Sequence, residues 1–89
     1  MTVDLQGLTH TYRLDLGANA MCAAEEATGL PWRQLLRRFR AKRPDPAVVR
    51  GFLTATLVDV PLADARAYRR VLRDLGGVAL LRDAVKGLV

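Results

Sequence analysis

The sequence predicts an α+β fold that is mainly α, in which an N-terminal β-hairpin packs on a bundle of about five short helices. Apolar and polar residues alternate over the first sixteen positions, as in a half-buried strand, whereas apolar residues further on recur every three or four positions, as in helices. The length of 89 residues fits a single domain over 1–89. A domain of this size buries only about 60–65% of its unfolded surface, so we expect a thin stability margin.

The hairpin is predicted over about 2–16, with strands at about 2–6 and 10–16 and a turn that contains Gly7. Its apolar positions are Val3, Leu5, Tyr12, Leu14 and Leu16. A two-stranded hairpin is marginally stable alone, so we expect this apolar face to lie on the helices.

Five helices are predicted from apolar stripes and from residues that favour helix ends. Their expected bounds are about 19–28, 31–41, 46–58, 63–75 and 78–87. Asn19 is the expected cap of the first helix, and Gly29 is its expected left-handed end. Pro31 and Pro46 suit the first turns of the second and third helices, and Asp45 is the expected cap of the third.

Proline and glycine are predicted to end the third and fourth helices. Pro61 lacks a backbone donor and disfavours helix in the preceding residue, so the third helix should break at 59–61. Gly76 and Gly77 should end the fourth. The inward-facing residues expected in helices two to five are Trp32, Leu35, Leu36, Phe39, Val49, Phe52, Leu53, Thr56, Leu57, Ala65, Tyr68, Val71, Leu72, Leu75, Val78, Leu81, Val85 and Leu88.

The opposite faces of helices two and four are rich in arginine, on a chain with a formal net charge of +5 at pH 7. The candidate partner-binding residues are Arg33, Arg37, Arg38, Arg66, Arg69, Arg70 and Arg73. Such faces are compatible with solvated helix backs, with a surface for an acidic protein, or with a phosphate-binding surface for nucleic acid. The stripes carry no interleaved aromatic residues for base stacking, and the segment AKRPDP is too rich in proline for a usual helix-turn-helix corner. Both features argue against nucleic acid.

The residues that catalysis would need are scarce. Cys22 and His10 are the only candidate nucleophile and base, and a buried structural thiol is the expected role of Cys22. Glu25 and Glu26 are adjacent, so on a helix they point about 100° apart and cannot form an acid/base dyad. We expect them to be solvated, or Glu25 to pair with an arginine. The sequence therefore predicts a protein that is not an enzyme.

No cofactor or metal site is predicted either. One cysteine and one histidine supply no cluster of soft metal ligands, and the glycines form no phosphate-binding loop motif. No apolar run approaches the ~20 residues that span a bilayer. The N-terminus lacks the pattern of a signal peptide, so a cytoplasmic location is expected.

An ordered series of short motifs gives the chain a family resemblance. The segment YRLDLGANAMCAAEEATGLPWRQLL combines a hairpin that ends in Tyr-x-Leu, an Asn-Ala pair, a helix with glutamate, a glycine and a leucine-rich helix. The segments VVRGFLTATL, DVPL and YRRVLRDLGG continue the series, which spans about 5–85. It resembles the small tail-assembly chaperones of tailed phages and gene transfer agents. The scaffold residues that match the family are Tyr12, Leu14, Asn19, Ala20, Glu25, Gly29, Leu35 and Leu36.

Two departures from the family pattern concern the helices. Ala24 and Thr28 stand where larger aliphatic residues are usual, and Ala63 and Asp64 replace a more typical Thr or Ser cap before helix four. The first departure bears on how helix one packs.

The resemblance implies a non-enzymatic assembly factor. Such chaperones keep the tape-measure protein, a long helical rod, soluble while tail-tube subunits polymerise around it, and they are generally absent from the mature particle. A groove between helices could take an amphipathic helix of the rod, and arginines could pair with its acids. Binding to the tail-tube protein and self-association are compatible with this role. A small basic nucleic-acid-binding protein and a structural tail subunit retained in the particle remain as alternatives.

Overall fold

The computed structural model describes residues 2–39, 41, 43–58, 60, 62 and 64–86. An antiparallel hairpin followed by five helices confirms the predicted α+β, mainly α, class. The elements are β1 Thr2–Gln6, β2 Thr11–Asp15, α1 Ala18–Thr28, α2 Trp32–Phe39, α3 Pro46–Thr56, α4 Ala65–Leu75 and α5 Ala79–Lys86. One cluster of buried apolar side chains takes members from every element.

The alternating pattern of the hairpin is confirmed by its burial. β1 and β2 pair from Thr2 opposite Asp15 to Gln6 opposite Thr11, which places the apolar residues of both strands on one face. On that face Leu5, Tyr12, Leu14 and Leu16 are buried, and Val3 packs against them. The apolar face of the hairpin is therefore covered by the rest of the domain, as a two-stranded sheet requires.

The end of α3 joins the hairpin directly. Leu57 forms an isolated antiparallel bridge with Leu14 of β2, and the Val58 N–H donates to the Arg13 carbonyl at 3.0 Å. The prediction that this helix runs to residue 58 is therefore wrong, because Leu57 and Val58 leave the helix to pair with β2. The predicted break at 59–61 falls mainly on residues outside the described part of the chain.

Asp74 of α4 holds the hairpin turn. Its carboxylate accepts hydrogen bonds from the Tyr12 hydroxyl at 2.8 Å and from the Thr9 N–H and hydroxyl, both at 2.9 Å. Its backbone carbonyl accepts from the Leu8 N–H at 2.9 Å. Gly7 lies so close that a Cβ there would stand 2.5 Å from Asp74 Oδ2, so this turn position requires glycine.

This contact shifts two pKa values in opposite directions. Burial, followed by the hydrogen bond to Asp74 and its negative charge, raises the pKa of Tyr12 to about 12. Burial also acts to raise the pKa of Asp74, but hydrogen bonds from Tyr12 and Thr9 outweigh it and hold that pKa below its ordinary value. Both shifts keep the Asp74 carboxylate ionised and the Tyr12 hydroxyl protonated, so that the hydroxyl can donate its hydrogen bond to the carboxylate.

Glu25 connects α1 to α2. As predicted, α1 ends at Gly29 in the left-handed conformation, with φ of 71°. The Glu25 carboxylate accepts from the Trp32 N–H at 2.7 Å, while the Pro31 carbonyl accepts from the Leu35 N–H at 2.9 Å. The helix thus begins at Trp32 and not at Pro31. The expected pairing of Glu25 with an arginine is wrong, because its carboxylate satisfies a free donor at the positive end of α2.

Asn19 is not the cap of α1. The helix begins at Ala18, and Gly17 occupies the capping position without a side-chain hydrogen bond to the helix. The Asp15 carboxylate accepts from the Gly17 N–H at 2.9 Å and so fixes the chain as it leaves β2. Asn19 is an exposed residue of the first turn.

Side-chain caps begin α3 and α4. Asp45 accepts from the Ala47 N–H at 2.9 Å with Pro46 as the first helical residue, which confirms the prediction for α3. Asp64 caps α4 by accepting from the Ala67 N–H at 2.9 Å, so that α4 begins at Ala65 and not at residue 63. Gly76 ends α4 in the left-handed conformation, with φ of 78°.

Arg82 of α5 binds the end of α2. Its guanidinium donates to the Phe39 carbonyl and to the Ala41 carbonyl, both at 2.9 Å. Helix α2 spans Trp32–Phe39 and so is shorter than predicted, since residue 41 lies outside it. The Arg82 guanidinium thus satisfies carbonyls at the end of α2 that have no partner within that helix.

Small residues let α1 and α3 approach closely. Gly51 of α3 is buried, and a Cβ at this position would lie 2.7 Å from Thr28 Cγ2. The Thr28 hydroxyl donates back to the Ala24 carbonyl at 2.7 Å, and Ala24 is fully buried. The absence of larger aliphatic residues at 24 and 28 therefore follows from the close packing of α1 on α3.

Most of the predicted inward-facing residues are confirmed. The buried ones are Leu35, Leu36, Phe39, Val49, Phe52, Leu53, Thr56, Tyr68, Val71, Leu75, Leu81 and Val85. The half-buried ones that pack on this core are Trp32, Leu57, Leu72 and Val78. Ala65 is exposed, so its prediction is wrong, and Leu88 lies outside the described residues.

The cap at Glu25 can be tested against its neighbour. Replacing Glu25 with Ala should lower the free energy of unfolding by about 1–2 kcal/mol, because the Trp32 N–H loses its acceptor. Glu26 is exposed on the same helix, so Glu26→Ala should change stability by less than about 0.5 kcal/mol. Urea denaturation of both variants measures the difference, and equal stabilities would contradict the capping role.

The raised pKa of Tyr12 in the hairpin predicts a loss of stability at alkaline pH. Its folded pKa of about 12 exceeds the ordinary value of 10.0, so stability is fully present below about pH 10 and is lost as the pH rises towards 12. In a Tyr68→Phe variant, Tyr12 is the only tyrosine and its absorbance reports its own ionisation. Titration of the folded protein near pH 10 would contradict the buried contact with Asp74.

Candidate partner-binding surface

Four predicted arginines lie together on α4. Arg66, Arg69, Arg70 and Arg73, here called the α4 arginine row, are exposed and line one open cleft of about 330 Å³. Their spacing along the helix places them on one side. None of the four forms an ion pair with a described residue; the ion pair between described residues joins Arg13 and Asp4 at 3.2 Å.

A groove with an apolar floor lies between α3 and α4. Its volume is about 310 Å³, and this α3–α4 groove is lined by Pro46, Ala47, Arg50, Ala65, Tyr68 and Arg69. Each helix contributes one arginine and residues that share a helical face. Ala65 was expected in the core, but it lies in the first turn of α4 and lines this groove instead.

Tyr68 forms the polar end of the groove floor. Its ring belongs to the core cluster, and its side chain is 9% exposed. The hydroxyl makes no hydrogen bond to a described residue, and it keeps some contact with solvent. Burial raises the pKa of Tyr68, and the positive charge of nearby Arg50 acts in the opposite direction. The hydroxyl is therefore a donor that a ligand can reach.

Three clefts connect into one surface. A cleft of about 210 Å³ lies beside the α1–α2 junction, and its lining includes Arg38, Asp45 and Ala47. Ala47 also lines the α3–α4 groove, which in turn shares Arg69 with the α4 arginine row. The arginines of this continuous region, here called the arginine surface, are Arg38, Arg50, Arg66, Arg69, Arg70 and Arg73.

The structure separates the candidate arginines of α2. Arg38 lies on the arginine surface, whereas Arg33 and Arg37 are exposed and line none of these three clefts. Arg50 was not a sequence candidate, because it is a single arginine on a helix that is otherwise rich in apolar residues. Its position four residues after Pro46 and three after Ala47 marks the face that it shares with them. The facing side of α4 becomes known only from the fold.

The acids in the described part of the chain form no ion pair with this surface. Of nine Asp and Glu residues, eight lie in the described part of the chain. Six of these accept hydrogen bonds from other groups of the chain, and they are Asp4, Asp15, Glu25, Asp45, Asp64 and Asp74. Most of the negative charge is thus fixed at turns and helix ends, while the arginine surface remains positive.

Two of these acids stand next in sequence to residues that line the α3–α4 groove. Asp45 and Asp64 precede Pro46 and Ala65, and each accepts a hydrogen bond from its own helix. Both carboxylates therefore serve as helix caps, whereas Arg50 and Arg69 line the groove without an ion pair to a described residue.

The arginine and tyrosine side chains on the arginine surface are hydrogen-bond donors. Guanidinium and hydroxyl groups bind carboxylates and phosphates. No three His, Cys, Asp or Glu side chains among the described residues form a metal-binding group. His10 packs edge-on to Tyr12 at 4.8 Å, and Cys22 is exposed, so the expected burial of this thiol is wrong. It lies on the α1 face away from the buried Ala20 and Ala24.

The scaffold residues of the family resemblance take structural positions. Tyr12, Leu14, Ala20, Leu35 and Leu36 are buried, Gly29 ends α1, Glu25 caps α2 and Asn19 is exposed. Within the described ranges, no helix is both long and apolar enough to cross a membrane.

Comparison with protein-family models, with curated proteins and with solved structures found no match for this chain. The resemblance to tail-assembly chaperones and the absence of enzymatic activity therefore stay predictions.

The α4 arginine row should reduce stability. Its members form four like-charged pairs at i,i+3 or i,i+4, each destabilising by about 0.2–0.5 kcal/mol. Arg66→Glu turns two of these pairs into attractive ones, adds no like-charged acid at i,i+3 or i,i+4, and should raise the free energy of unfolding by about 1 kcal/mol in low salt. Urea denaturation measures this gain, which should shrink in high salt. A loss of stability would show that the row is already balanced by other charges.

Proposed function

We propose that this chain is a non-enzymatic chaperone for tail assembly that binds the helical tape-measure protein. The observation that carries the proposal is the arginine surface, on which arginines from α2, α3 and α4 flank connected clefts and form no ion pair with a described acid. The motif series that resembles tail-assembly chaperones supports the assignment of this binding to tail assembly.

An acidic amphipathic helix suits this surface. Apolar side chains of such a helix can enter a groove floored by Pro46, Ala47 and the Tyr68 ring. Its flanking carboxylates can meet guanidinium groups, which stay charged at any physiological pH. Complementary charge speeds the encounter and sets the register of the rod, whereas the apolar contact keeps its exposed seams from aggregating.

The proposal extends to location and partners. The chaperone would act in the cytoplasm of the bacterial host and be absent from the mature particle. The tail-tube protein is a second proposed partner because it polymerises around the same rod. Copies of this small domain would bind side by side along the rod.

Nucleic acid is the second candidate, favoured by the α4 arginine row, which could follow a phosphate backbone. Against it, Tyr68 is the one aromatic residue that lines the three clefts, and its ring is largely buried, so bases have no stacking platform there. A salt titration with duplex DNA separates the candidates, because binding to several phosphates falls steeply with salt.

Co-expression tests the proposed function. The tape-measure protein encoded beside this chain should move from the insoluble to the soluble fraction when both are made together, and the two should co-purify. Mass spectrometry of purified particles should then find the tape-measure protein without this chain. A rod that stays as insoluble as before would refute the chaperone role, and the chain in finished particles would favour a structural subunit.

A further inference from the structure

We infer that the α3–α4 groove is the anchor site for the partner, where a carboxylate on an amphipathic helix binds between Arg50, Arg69 and the Tyr68 hydroxyl. The inference deepens the proposed function and rests on it for the identity of the natural partner. The site itself follows from the groups that converge on the groove.

Three donors from two helices line this groove. Arg50 comes from α3, and Tyr68 and Arg69 come from α4. Neither arginine forms an ion pair with a described residue, and the tyrosine hydroxyl has no hydrogen-bond partner among them. Contrast Tyr12, whose hydroxyl donates to Asp74 at 2.8 Å. Tyr68 therefore offers a hydroxyl without a partner among the described residues, in a groove whose two guanidinium groups form no ion pair with them. This arrangement favours an acceptor that a bound partner supplies.

The apolar floor distinguishes this groove from the rest of the surface. Among the described residues, the four arginines of the α4 arginine row line their cleft, so its apolar contact comes from arginine side-chain stems. The groove adds Pro46, Ala47 and Ala65 beside the tyrosine ring. A carboxylate bound against this floor is better shielded from water. Its charged hydrogen bonds are stronger there because the local dielectric constant is lower.

The charges that line the groove set the chemistry of the bound helix. The anchor carboxylate lies near Arg50 and Arg69, which line the groove together with Tyr68. Arg69 also lines the cleft of the α4 arginine row, so further acids of the same helix can meet Arg66, Arg70 and Arg73. The matching sequence is an amphipathic helix with several acids beside its apolar face.

A synthetic peptide gives a direct test. The probe is an amphipathic helix of about 18 residues, with leucines at i, i+3, i+4 and i+7 and glutamates beside them, and a matched peptide carries glutamine for glutamate. Isothermal titration calorimetry should show binding of the acidic peptide, with affinity at least about tenfold above that of the glutamine peptide.

Variants locate the site. Arg50→Glu and Arg69→Glu should each weaken peptide binding by about tenfold or more, while Arg50→Lys should retain most of it. Tyr68→Phe keeps the ring and removes the hydroxyl, so about a fivefold loss is expected. Arg33→Glu makes the same charge change outside the three clefts and is the control, with less than about a twofold effect. Circular dichroism checks that each variant is folded.

Three results would overturn the inference. The acidic peptide could fail to bind, it could bind Arg50→Glu and Arg69→Glu as well as the parent protein, or duplex DNA could bind in its place with the same dependence on these arginines. The co-expression assay is independent of the peptide. If a variant that combines Arg50→Glu and Arg69→Glu still solubilises the rod, the anchor site is refuted and the chaperone role is kept. If the parent protein binds the peptide but leaves the rod insoluble, the site is kept and the chaperone role is refuted.

Discussion

Burial of the apolar face of the hairpin is the interaction on which the rest of the structure depends. Two strands cannot hold this face together in water, so each neighbouring helix is fixed to it by a different contact. Leu57 at the end of α3 bridges to Leu14, Asp74 of α4 binds the turn through Tyr12 and Thr9, and α5 packs against β1. These contacts turn the apolar stripes of the helices inward and leave their basic faces to solvent.

The positions of the few acidic residues determine the electrostatics of this small domain. Carboxylates are used where a helix or turn needs an acceptor, as Glu25 serves α2, Asp45 serves α3 and Asp64 serves α4. Because these acids are held at helix ends, they do not pair with the arginines on the helix faces. A positive surface on a chain with net charge +5 follows from this division of roles, and it costs stability through repulsion within α4.

Local rules predicted the elements, whereas contacts between distant segments decided what was missed. The alternation of apolar and polar residues predicted the hairpin. Apolar periodicity predicted the helices, and Gly29, Asp45 and Gly76 predicted several of their ends. The cap at Glu25, the bridge at Leu57 and the groove at Arg50 each join segments that only the fold brings together. Cys22 and Ala65 were placed wrongly because small or weakly polar residues on a helix carry little information about which side is buried. For the same reason, four of the arginines could be grouped by spacing on one helix, but their connection to Arg38 and Arg50 could not.

The central claim is that the groove between α3 and α4 receives an acidic helix. NMR chemical-shift mapping of the ¹⁵N-labelled protein during titration with the acidic peptide tests it most directly. The largest shifts should fall on Ala47, Arg50, Tyr68 and Arg69 and continue along the α4 arginine row, and the signals of Arg33 and Cys22 should stay unchanged. Shifts centred on Arg33 and Arg37, or no shifts at a peptide excess that saturates weak binding, would contradict it.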